Sequence, residues 1–196
     1  MQFHNLIEML LGSKVKVKVL RTLWRYREKE FTIRELAKFL GISHMGIKKV
    51  LDELEKTNAI AVRTLGRSYA FKLNTNSYAA SIVERTFELE RQALPELKDT
   101  IRNKIESPMV TSVALYGSIV EGTETPRSDI DLLIVTNHKE KVEDIVVELQ
   151  KDVSDRFGNS ISAYYVSKED LQRKQNQSPI KQAIRSHMLI CGNPLE

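Results

Sequence analysis

Two aspartates one residue apart, Asp129 and Asp131, are the side chains of this sequence with the clearest chemical potential. They lead into an apolar run, residues 130–135, which predicts a β-strand. Because side chains alternate between the two faces of a strand, both carboxylates are expected to point the same way. Two carboxylates on one face at the mouth of a sheet suit a hard divalent cation, Mg²⁺ or Mn²⁺.

A Gly-Ser turn lies upstream of the aspartates. Gly117 and Ser118 follow a second apolar run, residues 110–116, and Gly122 and Ser128 lie between the turn and the acidic pair. The turn offers backbone N–H groups and a hydroxyl where phosphate oxygens can bind. The two glycines also fit ordinary turns of an α/β domain, and Ser128 also fits a residue that caps the turn before the aspartates.

This spacing resembles the signature of the DNA polymerase β-like nucleotidyltransferases, and in particular of the minimal nucleotidyltransferases. The resemblance implies a mixed α/β sheet on which Asp129 and Asp131 are catalytic metal ligands. It implies transfer of a nucleotidyl group from a nucleoside triphosphate to an acceptor, with Mg²⁺ or Mn²⁺ as cofactor. Minimal nucleotidyltransferases of toxin–antitoxin pairs modify a partner toxin, so a protein acceptor is expected by analogy. The nucleotide-binding residues implied are Gly117, Ser118, Gly122 and Ser128.

The sequence departs from the family pattern on the third strand. Family members that transfer nucleotides usually carry a third carboxylate there, but residues 160–166 contain no acid and Ser162 occupies about that position. The nearby acids lie outside the strand: Asp155, Glu169 and Asp170. Three functions therefore stay open: an active transferase, a transcriptional regulator that uses a degenerate domain for ligand sensing or dimerisation, and a standalone enzyme acting on small molecules.

Charge is divided unevenly along the chain. Residues 1–75 carry 15 Lys or Arg and 7 Asp or Glu, whereas residues 76–196 carry 15 and 19. The net charges are therefore +8 and −4, which agree with the total of +4. A basic N-terminal part beside a mildly acidic remainder predicts that the first domain binds a polyanion.

The basic part also has a helix and strand pattern of its own. Thr32 and Glu35 form a capping-box pattern, Gly41 fits the end of that short helix, and Ser43 fits the cap of the next one. Residues 60–74 then read as two strands around a tight turn. This order, over residues 14–75, resembles the winged helix-turn-helix family of DNA-binding domains.

That resemblance implies binding to double-stranded DNA, with residues 43–57 as the recognition helix. Lysines and arginines there would neutralise phosphates, and Arg67 would reach a minor groove. The alternative for any one of these residues is a solvated surface side chain, which holds most strongly for His44. The DNA-binding residues implied are Ser43, His44, Lys48, Lys49, Arg63 and Arg67.

These patterns predict an α+β protein with three parts. Residues 1–76 form the winged helix-turn-helix domain, residues 77–107 a connecting helical segment, and residues 108–196 the nucleotidyltransferase-like domain. Pro95 is expected to kink or divide the connecting helix, which is also a candidate dimerisation surface. A homodimer is expected because winged-helix proteins commonly read two half-sites. Later expected elements are a helix at 139–156, a strand at 161–166, a helix capped by Ser167, a helix at 179–188 and a short terminal strand.

Composition narrows the class of protein further. The chain has 196 residues, of which 41% are hydrophobic and 29% charged, as in ordinary globular proteins. No apolar run approaches the roughly 20 residues that span a bilayer, and the N-terminus is a poor signal peptide because its basic residues follow the apolar stretch. A cytoplasmic protein without membrane partners is therefore expected. The single cysteine, Cys191, excludes an internal disulfide.

Overall fold

A computed structural model describes residues 13–195, which divide into two compact units, residues 13–91 and residues 92–195. Helices accompany a separate sheet in each unit, so the fold is α+β, as expected. The interpretation of the N-terminus as a poor signal peptide rests mostly on residues 1–12, which lie outside the described part. Among residues 13–195, no helix combines the length and the hydrophobicity needed to cross a bilayer.

The first unit packs three helices against a three-stranded antiparallel sheet of order β1-β3-β2. Its core includes Leu23, Leu36, Ile47 and Leu51, which are fully buried, so all three helices contribute to it. The elements are α1 (Lys14–Arg25), β1 (Phe31–Thr32), α2 (Ile33–Leu40), α3 (His44–Lys56), β2 (Ile60–Leu65) and β3 (Ser68–Leu73).

The helix ends in this unit follow from local side-chain chemistry. The Thr32 hydroxyl accepts a hydrogen bond from the Glu35 N–H at 3.3 Å, and the Glu35 carboxylate accepts one from the Thr32 N–H at 2.7 Å. Gly41 ends α2 in the left-handed conformation, with φ of 64°. The Ser43 hydroxyl accepts from the Gly46 N–H at 3.2 Å and caps α3. The predicted capping box, helix end and cap are therefore confirmed.

A single long helix, α4 (Tyr78–Ile105), runs through both units without a break. Pro95 lies inside it and does not divide it. Its missing N–H frees one backbone carbonyl one turn earlier, and Pro95 is itself exposed, so water can solvate that carbonyl. Phe87 is buried in the core of the first unit and Leu97 in that of the second.

The second unit is built on a four-stranded mixed sheet of order β6-β5-β4-β7. Strands β5 and β6 are parallel, and a helix connects them, whereas the other pairs are antiparallel. The elements after α4 are β4 (Val110–Tyr116), α5 (Ser118–Glu121), β5 (Ile130–Thr136), α6 (Lys139–Phe157), β6 (Ile161–Val166), α7 (Lys168–Arg173), α8 (Ser178–Arg185) and β7 (His187–Gly192).

Both faces of this sheet are covered. Alternate residues such as Leu115 and Leu132 pack with α4 and α6, whereas Ala114 and Leu133 pack with α7 and α8. Strands β4 and β5 are therefore nearly continuous apolar runs, and the only polar positions available for a site lie at their ends.

One element boundary predicted from the sequence is wrong. The helix expected at residues 179–188 ends at Arg185, and strand β7 already begins at His187. His187 pairs with Tyr116, and Leu189 pairs with Ala114, on the neighbouring strand β4. Backbone hydrogen bonding to β4 therefore overrides the local helical pattern at residues 186–188.

Candidate functional site

The acidic pair lies where β4 ends and β5 begins. Asp131 pairs with Tyr116 on antiparallel β4 and with Ser162 on parallel β6. Residues that face each other across neighbouring strands have side chains on the same face of the sheet. Tyr116, Asp131 and Ser162 therefore form one cross-strand row at this end of the sheet, and Asp129 lies at the entrance to β5, exposed to solvent.

The electrostatics of the pair indicate two carboxylates in close proximity. Partial burial raises the pKa of Asp131, the charge of Asp129 raises it further, and a hydrogen bond from the Ser162 hydroxyl opposes both effects. Burial likewise raises the pKa of Tyr116, followed by the charge of Asp131. A partly desolvated carboxylate repelled by a neighbouring carboxylate is stabilised in its charged form by a cation bound between the two.

The backbone of Gly117 lies directly against the carboxylate of Asp131, where a Cβ atom would overlap it. It precedes α5 with φ of 76°. A Cβ built on Gly117 would overlap Oδ2 of Asp131 and would lie 3.1 Å from its Cγ. Glycine is therefore required here by its backbone conformation and by the carboxylate that lies against it. The sequence predicted a turn glycine, but the contact with Asp131 is visible only in the folded chain.

Backbone hydrogen bonds close the turn that follows Gly117. The carbonyl of Gly117 accepts hydrogen bonds from the N–H groups of Val120 and Glu121, both at 3.1 Å. Gly122 ends α5 with φ of 68°, and no heavy atom lies within 4 Å of the position its Cβ would occupy. Ser118, at the first position of α5, is partly exposed beside the Gly117–Asp131 contact.

The loop before the aspartates is held by the hydroxyl of Ser128. This hydroxyl accepts a hydrogen bond from the Thr125 N–H at 2.9 Å, and the Ser128 N–H donates to the Thr125 carbonyl at 3.0 Å. The Ser128 side chain therefore closes the turn, which is the alternative role that the sequence left open for it. Ser128 is close to Asp129 because it directly precedes it in the chain, and the Ser128 hydroxyl is already hydrogen-bonded within the loop.

Two residues without a sequence signal position this loop. The buried Asn159 side chain donates from Nδ2 to the Ser128 carbonyl at 2.8 Å. Gln150, on α6, accepts from the Ile161 N–H through Oε1 at 2.6 Å and so fixes the start of β6 beside it. Asn159 stands in a Gly-Asn-Ser segment, whose composition indicates only a turn. Its role depends on a partner 31 positions away in the chain.

The residues present fit a cation that arrives with phosphate groups. Within the described part of the chain, no group of three or more His, Cys, Asp or Glu side chains converges on one point. Asp170, one of the acids near the third strand, is bonded to Lys174 at 2.9 Å, and no metal cluster includes it. Mg²⁺ is commonly held by one or two carboxylates, with water and substrate phosphates completing its shell. Asp129 and Asp131 match that pattern.

The residues proposed for DNA binding all lie on the surface of the first unit. Three of them lie in the N-terminal half of α3, Ser43 caps that helix, and the other two lie on the β2–β3 hairpin. Arg63 is bonded to Glu30 through Nε at 3.1 Å and through a terminal nitrogen at 2.5 Å. Arg67 lies in the turn of the hairpin. All six are exposed: Ser43, His44, Lys48, Lys49, Arg63 and Arg67.

The geometry of the second unit agrees with its match to a known family. Residues 94–188, just under half of the chain, match the family model described as nucleotidyltransferase domain. This segment contains the Gly-Ser turn, the acidic pair and the sheet that holds them. The second unit therefore has the fold of a nucleotidyltransferase domain, as its motif predicted.

Particular proteins resemble the chain only weakly. A comparison with curated proteins found no match. A mutant of the toxin–antitoxin MntA-HpeT is similar at 15% identity and a TM-score of 0.34, over 50% of this chain and 73% of that chain. A toxin–antitoxin with AMP-PNP is similar at 16% identity and a TM-score of 0.34, over 52% and 74%. TrmBL2, an archaeal chromatin protein with a novel mode of DNA binding, is similar at 15% identity and a TM-score of 0.32, over 94% and 73%.

Proposed function

We propose that the second unit transfers a nucleotidyl group from a nucleoside triphosphate to an acceptor hydroxyl, with Mg²⁺ or Mn²⁺ as cofactor. The new bond joins the acceptor oxygen to the α-phosphorus, the bond between the α- and β-phosphates breaks, and pyrophosphate and the hydroxyl proton are released. The observation that carries this proposal is the Asp129–Asp131 pair, in which one carboxylate is half-buried, repelled by the other and held against the Gly117 turn. Structural ion pairs lower the pKa of a carboxyl, whereas this pair raises it, which favours a ligand-binding role.

The chain's own residues would bind and orient the reactants. A bound divalent cation would supply charge neutralisation on the phosphates and activation of the attacking oxygen. Asp129 and Asp131 would hold that cation, and the turn at Gly117 and Ser118 would receive the triphosphate. Asn159 would keep the preceding loop in place through its bond to Ser128. The proposed acceptor is a side chain of a partner protein.

The first unit is proposed to bind double-stranded DNA as a winged helix-turn-helix domain. Support comes from the net positive charge of residues 1–75 and from exposed cations on α3 and on the β2–β3 hairpin. The short connection of Gly41 to Ser43 joins two capped helices, as this class of domain requires. We further propose that the protein is a cytoplasmic homodimer, in which each first unit binds one DNA half-site.

A second candidate function is a regulator that binds nucleotide without transferring it. The observation in its favour is Ser162, which faces Asp131 from β6 where an active family member would carry an acid. In this case the second unit senses a nucleotide and the first unit binds DNA. Both candidates predict nucleotide binding, and only the first predicts a covalent product.

Incubation with Mg²⁺ and α-phosphate-labelled nucleoside triphosphates, with and without extract from the source cells, separates the two. Transfer of label to a protein, lost in Asp129→Asn and Asp131→Asn, supports the transferase. The matched control is Asp144→Asn, at an exposed position of α6, which should keep full transfer. Nucleotide binding by calorimetry without any labelled product supports the regulator. Label transfer that survives in Asp131→Asn contradicts the proposed site.

A further inference from the structure

A large apolar side chain, Met45, projects from the first turn of α3. It is 73% exposed, although α3 also has a buried face formed by Ile47, Val50 and Leu51. Met45 lies three and four positions before Lys48 and Lys49, so the three side chains form one patch on the helix surface. All three line one end of a shallow depression on the outer face of α3, whose other end is lined by Asp52, Glu53 and Lys56. An apolar group is thus displayed beside two cations.

Charge along α3 selects which half of the helix can approach a polyanion. Lys48 and Lys49 lie in its N-terminal half, whereas Asp52, Glu53, Glu55 and the single cation Lys56 lie in its C-terminal half, which is therefore net acidic. Carboxylates close to DNA phosphates are repelled, so the N-terminal half must enter the groove and the acidic half must stay outside it. Met45 stands at the entering end.

We infer that Met45 reads thymine, by packing against the C5-methyl group in the major groove. This inference rests on the proposed DNA binding of the first unit. The thymine methyl is the apolar group displayed among the donors and acceptors of the major-groove base edges. The neighbouring exposed side chains of α3, His44, Lys48 and Lys49, are polar or charged, so Met45 is the wholly apolar side chain among these four. A flexible thioether adapts well to a shallow apolar target.

Replacement of thymine by uracil tests the contact directly, because it removes the methyl group and keeps the base pair. Duplexes bound by the wild-type chain are first selected from a random-sequence pool at two salt concentrations. Each thymine of the selected site is then replaced by uracil in turn. At one position per half-site, the wild-type chain should lose about fourfold in affinity, which corresponds to one buried methyl group.

Variants at position 45 assign the effect to this side chain. Met45→Ala should bind thymine and uracil duplexes equally at that position, whereas Met45→Leu should keep most of the difference. The control is Tyr78→Ala, an apolar residue of the same unit that is 83% exposed on α4, and it should discriminate like the wild type. The Ser43–Gly46 cap does not involve the Met45 side chain, and far-ultraviolet circular dichroism checks that each variant is folded.

The possible results separate failure of the proposed DNA binding from failure of the proposed contact between Met45 and thymine. Absence of salt-dependent binding to the duplex pool overturns the proposed DNA binding and this inference together. Salt-dependent binding without any uracil-sensitive position overturns the inference alone. It is also overturned if Met45→Ala retains the full difference between thymine and uracil. Loss of the difference in Met45→Ala, with retention in Tyr78→Ala, establishes Met45 as a base-reading residue.

Discussion

Ser162 lies directly across from Asp131 on the neighbouring parallel strand, and its hydroxyl lowers the pKa of the Asp131 carboxyl, against the effects of burial and of Asp129. The cross-strand row that contains Asp131 therefore carries a neutral hydroxyl on β6, at a position from which a carboxylate could join Asp129 and Asp131. The strength of cation binding should depend on this position.

Substitution of Ser162 by Asp should strengthen the binding of Mn²⁺. A third negative charge at about 4–5 Å from the cation adds Coulombic attraction, and we expect roughly tenfold tighter binding or more. If the site is catalytically incomplete, the same substitution should also raise nucleotidyl transfer. Titration with Mn²⁺ by electron paramagnetic resonance measures the affinity. Ser154→Asp, at an exposed position of α6, is the control and should leave it unchanged. Equal affinities in both variants would show that the cation does not bind beside Asp131.

The pH dependence of the stability of the metal-free protein should reveal the interaction between Asp129 and Asp131. The folded-state pKa of Asp131 is raised, first by burial and then by Asp129. The protonated form thus contributes stability that is fully present below the unfolded-state pKa and is lost as pH rises through the folded-state pKa. Asp129→Asn should lower the pKa of Asp131 and reduce this loss. Carboxyl carbon chemical shifts of Asp131 and urea unfolding across this pH range provide the measurements. An unchanged pKa in Asp129→Asn would contradict the proximity of the two groups.

Two glycines of the turn offer a matched comparison. Gly117→Ala should destabilise the protein by about 2 kcal/mol or more and abolish nucleotide binding, because it combines a left-handed backbone with overlap onto Asp131. Gly122→Ala has the same sign of φ but open space around its Cβ, so it should cost only about 1 kcal/mol. Urea unfolding and calorimetric nucleotide titration test both. Similar effects of the two substitutions would mean that the contact between Gly117 and Asp131 contributes neither to stability nor to nucleotide binding.

Asn159 should position the site without touching the reactants. Asn159→Ala leaves the Ser128 carbonyl without its side-chain donor, and we expect a loss of about 1–3 kcal/mol in unfolding free energy together with weaker nucleotide binding. Asn74→Ala removes a comparable bond from an exposed amide, Nδ2 to the Asn58 carbonyl at 3.2 Å, in the other unit. That control should leave nucleotide binding unchanged. Calorimetry and urea unfolding separate the two variants, and wild-type nucleotide affinity in Asn159→Ala would exclude the positioning role.

The Glu30–Arg63 pair should limit DNA affinity. Its bonds hold the guanidinium away from a phosphate, and the carboxylate itself repels DNA. Glu30→Gln should therefore raise affinity for duplex DNA, and Arg63→Gln should lower it and reduce the slope of log affinity against log salt by about one. Fluorescence anisotropy over a NaCl series measures both. Glu28→Gln removes another acidic residue of the first unit and controls for net charge alone. An equal rise in Glu28→Gln would assign the effect to net charge instead of the pair.

Features that depend on neighbours in the chain were predictable from the sequence. The Thr32–Glu35 capping box and the Ser43 cap each join residues three positions apart. The boundaries of β4 and β6 follow the apolar runs, and the spacing of Asp129 and Asp131 predicts a cation site. Strand β5 begins at Ile130, so alternation along the strand orients Asp131 but not Asp129. These interactions need only the local backbone conformation, which local composition largely decides.

The remaining features required the folded chain. Tertiary structure alone decided that the Gly117 backbone lies against the Asp131 carboxylate and that Asn159 holds Ser128. The family resemblance placed Ser162 only approximately, and the strand register sets it directly opposite Asp131. Tertiary structure also decided that β4 recruits residues 187–192 into a strand and shortens the preceding helix. Each of these contacts joins residues far apart in sequence, and its geometry depends on strand register and on packing across both faces of the sheet. Residue spacing therefore predicted which side chains are candidates for the chemistry, and strand pairing decided what surrounds them.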